Sequence, residues 1–174
     1  MADELNPDGG DATFDDGNSN EDTGEREVTI QKLYVKDASI EVPNAPQVFT
    51  EDFQPEVNVD LNTEVQQLAE TAFEVAVTVT ITAAQGENTA YIVEVQQAGV
   101  FEIDGETTED ERGPLLGAYC PGLIFPYLRE AAGDMVQRAG FPHFVLQPVN
   151  FEALYAQHQA DQANDTQETG HATH

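Results

Sequence analysis

Apolar and polar residues alternate most regularly between residues 73 and 101. Phe73, Val75, Val77, Val79 and Ile81 occupy every second position, with Glu74, Thr78, Thr80 and Thr82 between them. A period of two sends successive side chains to opposite faces of a strand, and β-branched residues suit that conformation. Gln85-Gly86-Glu87-Asn88 interrupts the pattern as a turn, where Gly86 can take positive φ without a Cβ clash. The alternation resumes with Tyr91, Val93, Val95 and Gln97 against Ile92, Glu94 and Gln96. The stretch predicts a long antiparallel hairpin with one apolar and one mixed face. A lone hairpin is marginal in water, so the rest of the chain or a second copy must cover the apolar face.

Upstream, Val28, Ile30, Leu33, Val35 and Ile40 predict one long strand that slips register once, at a bulge. Pro43 and Pro46 break it. A crossover over residues 47–63 follows, in which Val57, Val59 and Leu61 mark a short strand. Phe49 and Phe53 are apolar residues in an irregular segment; anchoring that segment is their default role, and lining a ligand groove is the alternative. After the hairpin, Thr107 or Thr108 can cap a short helix through Gly117, which Gly113-Pro114 makes irregular. The strongest helix spans residues 121–138, with Leu123, Phe125, Leu128, Ala132, Met135 and Val136 as its stripe. Pro121 fits its first turn and Gly140 its end, while Pro126 implies a kink or a later start. An extended linker leads to Asn150, the N-cap of a last helix over residues 151–162 bearing Phe151, Leu154 and Tyr155. Strands first and helices last predict an α+β fold on an antiparallel sheet.

Composition trims this picture at both ends. Residues 1–26 are acidic and almost devoid of apolar side chains, and residues 163–174 are polar, so both are expected to be disordered around a folded domain at 27–162. The net charge is −27 with only six Lys and Arg, which leaves no basic patch for nucleic acid or an anionic membrane. A basic protein partner fits this charge, as does solubility alone. A single cysteine, Cys120, permits no internal disulfide and suits a reducing compartment. The N-terminus does not read as a signal peptide, and no apolar run approaches the ~20 residues of a membrane helix, so a cytoplasmic protein without membrane insertion is expected.

Candidate chemistry is sparse. His143, His158, His171 and His174 show no ligand spacing, and Cys120 has no neighbouring cation to activate its thiol. The run from Gly113 to Gly117 lacks the ending of a phosphate loop. No metal, cofactor or catalytic set is expected, and the residues argue for binding rather than catalysis. Glu94 shares a strand face with Ile92 and Gln96 and is a candidate contact residue. Asp37 and Glu41, four apart, share a face if pairing is regular; edge-strand protection is their alternative role.

Six pieces, in order, carry a resemblance. Lys36-Asp37, Pro43-Asn44-Ala45-Pro46, Glu94-Val95-Gln96-Gln97, Leu116-Gly117-Ala118-Tyr119-Cys120-Pro121, Phe125-Pro126-Tyr127 and Pro148-Val149-Asn150-Phe151 resemble the SecB protein-export chaperones. The resemblance implies a four-stranded antiparallel sheet with a long crossover loop and packed C-terminal helices, assembled as a homotetramer, a dimer of dimers. It also implies an ATP-independent holdase that binds unfolded secretory precursors in the cytoplasm and delivers them to the SecA motor. SecA-binding positions would be Asp37, Glu41, Ile92 and Glu94. Peptide-groove positions would be Phe53, Tyr91 and Tyr155, and assembly positions Tyr91, Val93, Val95 and Gln97. The acidic extension, the segment Glu109-Asp110-Glu111-Arg112-Gly113-Pro114 and the C-terminal tail depart from the family pattern. Two other readings compete: a SecB-like chaperone dedicated to one client such as an antitoxin, and a small-ligand-binding α+β domain.

Overall fold

A computed structural model describes residues 28–103 and 106–169, with side chains through residue 161. The 1–26 extension, His171 and His174 lie outside the described residues. Four antiparallel strands, β1 (Val28–Glu41), β2 (Glu56–Gln67), β3 (Ala72–Gln85) and β4 (Asn88–Ile103), form one sheet in the order β1-β4-β3-β2. The expected hairpin is β3 and β4, joined at Gly86 with φ +61°. Because β1 and β2 occupy opposite edges, the chain must cross the full width of the sheet between them. That crossover is tied to the hairpin: Asn44 Nδ2 donates to the Thr89 carbonyl at 2.8 Å, and Gln85 Nε2 to the Asp52 carbonyl at 2.9 Å.

Two strand expectations change. β1 carries two register shifts rather than one, at Gln31 and at Lys36. β2 is 12 residues long, because its pairing with β3 continues from Glu56↔Ala84 to Gln67↔Phe73 although its polar second half shows no apolar run.

Helical residues run without a break from 109 to 138. Thr108 and Glu111 form a capping box that starts α1 (Glu109–Pro114). A π-helical turn, Leu115–Tyr119, joins it to α2 (Cys120–Arg138), with the Cys120 N–H bonded five residues back to the Leu115 carbonyl. Widening one turn lets the ladder pass prolines 114 and 121, neither of which can donate. Pro126 neither delays nor ends α2; the ladder bond it omits falls near exposed Gly122, where water can replace it. The last helix, α3 (Phe151–Thr169), begins with the Ala153 N–H donating to Asn150 Oδ1 at 3.0 Å. It runs past the expected boundary at Gln162, as a polar helix can when no proline or glycine stops it.

α2 lies across β3 and β4. Ile124, Leu128, Ala132 and Val136 face the fully buried Val77, Val79, Val93 and Val95 to make the core. A helix about 10 Å wide covers roughly two strands spaced about 4.8 Å apart. Both edge strands therefore keep exposed apolar residues on the inner face, Ile30 and Val35 on β1 and Val57, Val59 and Val65 on β2.

Candidate functional site

Two surfaces of the chain stand out, one on each side of the sheet. Among the described residues no helix packs on the outer face. Cross-strand register sets Ser39, Glu94, Thr80 and Asp60 in one row, with Asp37↔Gln96 and Glu41↔Ile92 in the rows on either side. The four expected docking residues, Asp37, Glu41, Ile92 and Glu94, thus lie side by side on β1 and β4. Asp37, Glu41 and Glu94 are exposed and Ile92 is half-buried among them. The Thr80 hydroxyl donates to Glu94 Oε2 at 3.3 Å, and Asn58 Nδ2 to Asp60 Oδ2 at 2.8 Å. Further along the same face, Lys36 Nζ meets Glu74 Oε2 at 2.6 Å and the Tyr34 hydroxyl donates to Glu74 Oε1. Lys36 first, and Tyr34 second, hold the Glu74 carboxyl below its usual range; Glu74 in turn pushes the Tyr34 hydroxyl up to about 12.

The inner side is apolar and open. Beyond α2, β2 offers Val57, Val59 and Val65 from 40 to 46% exposed, next to an edge whose outward N–H and C=O groups have no strand partner. At the turn end of the sheet, Phe141 packs between Phe53 and Tyr91, 5.1 and 4.7 Å from their ring centres, and Phe49 lies 5.2 Å from it. Phe53 and Phe49 therefore anchor the crossover. Phe53 is half-buried and Phe49 exposed, so the cluster has a solvent-facing rim, whereas Tyr91 is only 2% exposed. Burial raises the Tyr91 hydroxyl above its ordinary value.

Tyr155 is not brought to this cluster. It lies over Gly113 and Gly117 at the other end of α2, a helix about 28 Å long at 1.5 Å per residue, and lines an apolar groove of about 790 Å³ with Leu115, Tyr119 and Leu123. A second groove of about 640 Å³ runs between α2 and the returning segment 141–150, lined by Phe125, Val145 and Phe151. The positions expected to govern assembly, Tyr91, Val93, Val95 and Gln97, are all buried within the chain's own core. The π-helical turn and α2 instead expose Tyr119 and Tyr127 at 51 and 53%, with half-buried Leu123 between them at helical spacing.

Cys120 is completely buried, and desolvation pushes its thiol up to about 12, the environment of an inert thiol. Sequence reasoning passed over Phe141, the centre of the aromatic cluster, because Phe141-Pro142 reads as linker. It also passed over Glu74 and Tyr34, whose contact spans an intervening strand.

An α+β protomer with a bare acidic sheet face, an open strand edge and apolar grooves belongs to the polypeptide-binding class. A family model described as "Preprotein translocase subunit SecB" matches residues 21–162. The Protein-export protein SecB of Methylococcus capsulatus is 56% identical over 133 residues, 76% of this chain and 85% of that protein. That of Hydrogenovibrio crunogenus is 47% identical over 148 residues, 85% of this chain and 99% of that protein. The chain belongs to the SecB family of protein-export chaperones. Among solved structures, the Mycobacterium tuberculosis Rv1957 SecB-like chaperone in complex with a ChAD peptide from the Rv1956 HigA1 antitoxin has the same fold. It superposes with a TM-score of 0.59 at 18% identity, over 70% of this chain and 90% of that one. No helix among the described residues is long and apolar enough to cross a membrane.

Proposed function

We propose that this chain holds unfolded secretory precursors in the cytoplasm without ATP and passes them to SecA, with the two tasks assigned to opposite sides of the sheet. The observation that carries the reading is that segregation: apolar shelf, open edge and grooves on the inner side, bare carboxylates on the outer. An extended precursor segment can add its main chain to the β2 edge and lay alternate side chains on Val57, Val59 and Val65, while aromatic side chains meet the rim of Phe49 and Phe53. Main-chain bonding is indifferent to sequence, and preferential binding of unfolded chains retards folding by mass action. Phe53 and Tyr91 act together at one end of this surface and Tyr155 at the other, so they serve as two subsites rather than one.

SecA would dock through basic groups on Asp37, Glu41 and Glu94, with Ile92 as the apolar centre; the acidic field speeds that encounter. Assembly as a dimer of dimers would use surfaces one protomer leaves apolar, the Ile30 and Val35 edge and the Tyr119–Leu123–Tyr127 stripe. Tyr91, Val93, Val95 and Gln97 would influence it through α2, by setting how that helix is seated.

The test is paired. The protein should slow refolding of a chemically unfolded precursor, with no nucleotide added and no effect on the folded mature form. Glu94→Lys should abolish SecA binding and spare precursor capture; Val59→Asp should do the reverse. Loss of both functions together in both variants, without unfolding, would refute the two-sided assignment. Failure of the parent protein to retain any of several precursors would refute the export role.

A further inference from the structure

Asp37 and Glu41 reach the outer face only because β1 changes step along its length. Its inward positions are even-numbered at Val28 and Ile30, odd-numbered at Leu33 and Val35, and even-numbered again at Ile40. One extra residue, Gln31 or Lys36, sits at each change. Without the second bulge, Asp37, Ser39 and Glu41 would share the parity of Val35 and point inward. Little burial opposes such a slip locally, since Val35 is 51% exposed.

What does mark the position is polar. Lys36, the extra residue, reaches past β4 to Glu74 on β3, with Nζ 2.6 Å from Oε2. Tyr34, two residues earlier on the same face, donates to the other carboxylate oxygen. The β4 residue opposite both Tyr34 and Ala76 is Ala98, whose small side chain leaves room on that face. The Glu74 side chain is 11% exposed and therefore more shielded from water than the lysine, at 39%. Gln31, the other extra residue, donates only to the adjacent strand, from Nε2 to Glu102 Oε2 of β4 at 2.8 Å.

We propose that Tyr34, Lys36 and Glu74 are positioning residues of the docking face: together they lock the second bulge and so keep Asp37 and Glu41 on the side of Glu94. The inference rests on the SecA-docking reading above. A bulge displaced to Ala38 would turn Asp37 inward and break up the cluster of three acids, with no residue of the docking set itself altered.

The discriminating variant is Lys36→Met. It removes a positive charge from an acidic face, so charge alone predicts tighter binding of a basic partner. Loss of the lock predicts weaker binding, with the SecA Kd raised roughly threefold, the scale of a partly exposed ion pair. Tyr34→Phe changes no charge and should weaken binding in the same direction. In both variants amide exchange at residues 36–38 should quicken while the fold is kept and the denaturation midpoint falls only slightly. If Lys36→Met did not fold, Tyr34→Phe would decide the matter by the same two readouts. Unchanged or tighter SecA binding in the folded variants, while Glu94→Lys still abolishes it, overturns the positioning role alone. If Glu94→Lys also leaves SecA binding intact, the docking reading falls, and this inference with it.

Discussion

A single methyl group placed at Gly117 should change the sign of its effect according to whether Tyr155 is present. Gly117 lies in the π-helical turn, and a Cβ there would fall on the Tyr155 ring, 2.5 Å from Cε2 and closer still to Cδ2. Replacing glycine by alanine in a helix interior is worth about 1 kcal/mol in favour of folding. Against that, the ring has only two side-chain torsions and must leave its seat. A half-buried aromatic forfeits roughly 1–2 kcal/mol when its packing is lost. Gly117→Ala should therefore be neutral to destabilising by about 1 kcal/mol. In a Tyr155→Ala background the clash is gone and the same change should stabilise by about 1 kcal/mol, or roughly 2–4 °C in Tm. The coupling between the two sites is then roughly 1–2 kcal/mol. Urea denaturation of the four proteins, all at one protein concentration, measures it. Proteolysis within residues 156–161 gives a second reading, since α3 should be nicked faster in Gly117→Ala alone. Equal stabilisation by Gly117→Ala in both backgrounds would refute the seating of Tyr155 on the turn.

Further outcomes follow from the core and from the titrating groups. Leu128→Ala, at a fully buried position facing the sheet, should cost roughly 2–5 kcal/mol in denaturant unfolding. The Cys120 thiol, buried and raised to about 12, should react with a thiol reagent only on the timescale of unfolding, and at once in denaturant. Tyr34 titrates higher in the folded chain than its ordinary 10.0, so its contribution is complete below pH 10 and is lost as pH rises toward 12; Tyr34→Phe should flatten that part of the stability profile. Glu74 titrates lower when folded, so its contribution is present above the ordinary 4.5 and is lost as pH falls through the depressed value. Glu74→Gln should remove that acid limb.

Local pattern by itself determines much of this protein. The alternation from Phe73 to Phe101 determined the central hairpin and which residues face the core, because each strand side chain has only two directions available. The stripe from Leu123 to Val136 determined the helix that covers it, and Asn150 the start of the last one. Family membership was legible too, since short motifs in a fixed order survive where individual residues change. Even the second slip in β1 is written in the parity of Leu33, Val35 and Ile40.

Tertiary structure decided what local pattern cannot encode. It put β1 and β2 on opposite edges, carried the polar half of β2 along the sheet by pairing, and drew Phe141 out of apparent linker into contact with Phe53 and Tyr91. It separated Tyr155 from that cluster by the length of α2, and buried Tyr91, Val93, Val95 and Gln97 beneath the helix. It also joined Tyr34 and Lys36 to Glu74 across an intervening strand. The physical reason is common to all of these. Strand and helix periods act over a few residues and fix only which way a side chain faces, whereas neighbours distant in sequence are chosen by how much surface the whole fold can bury.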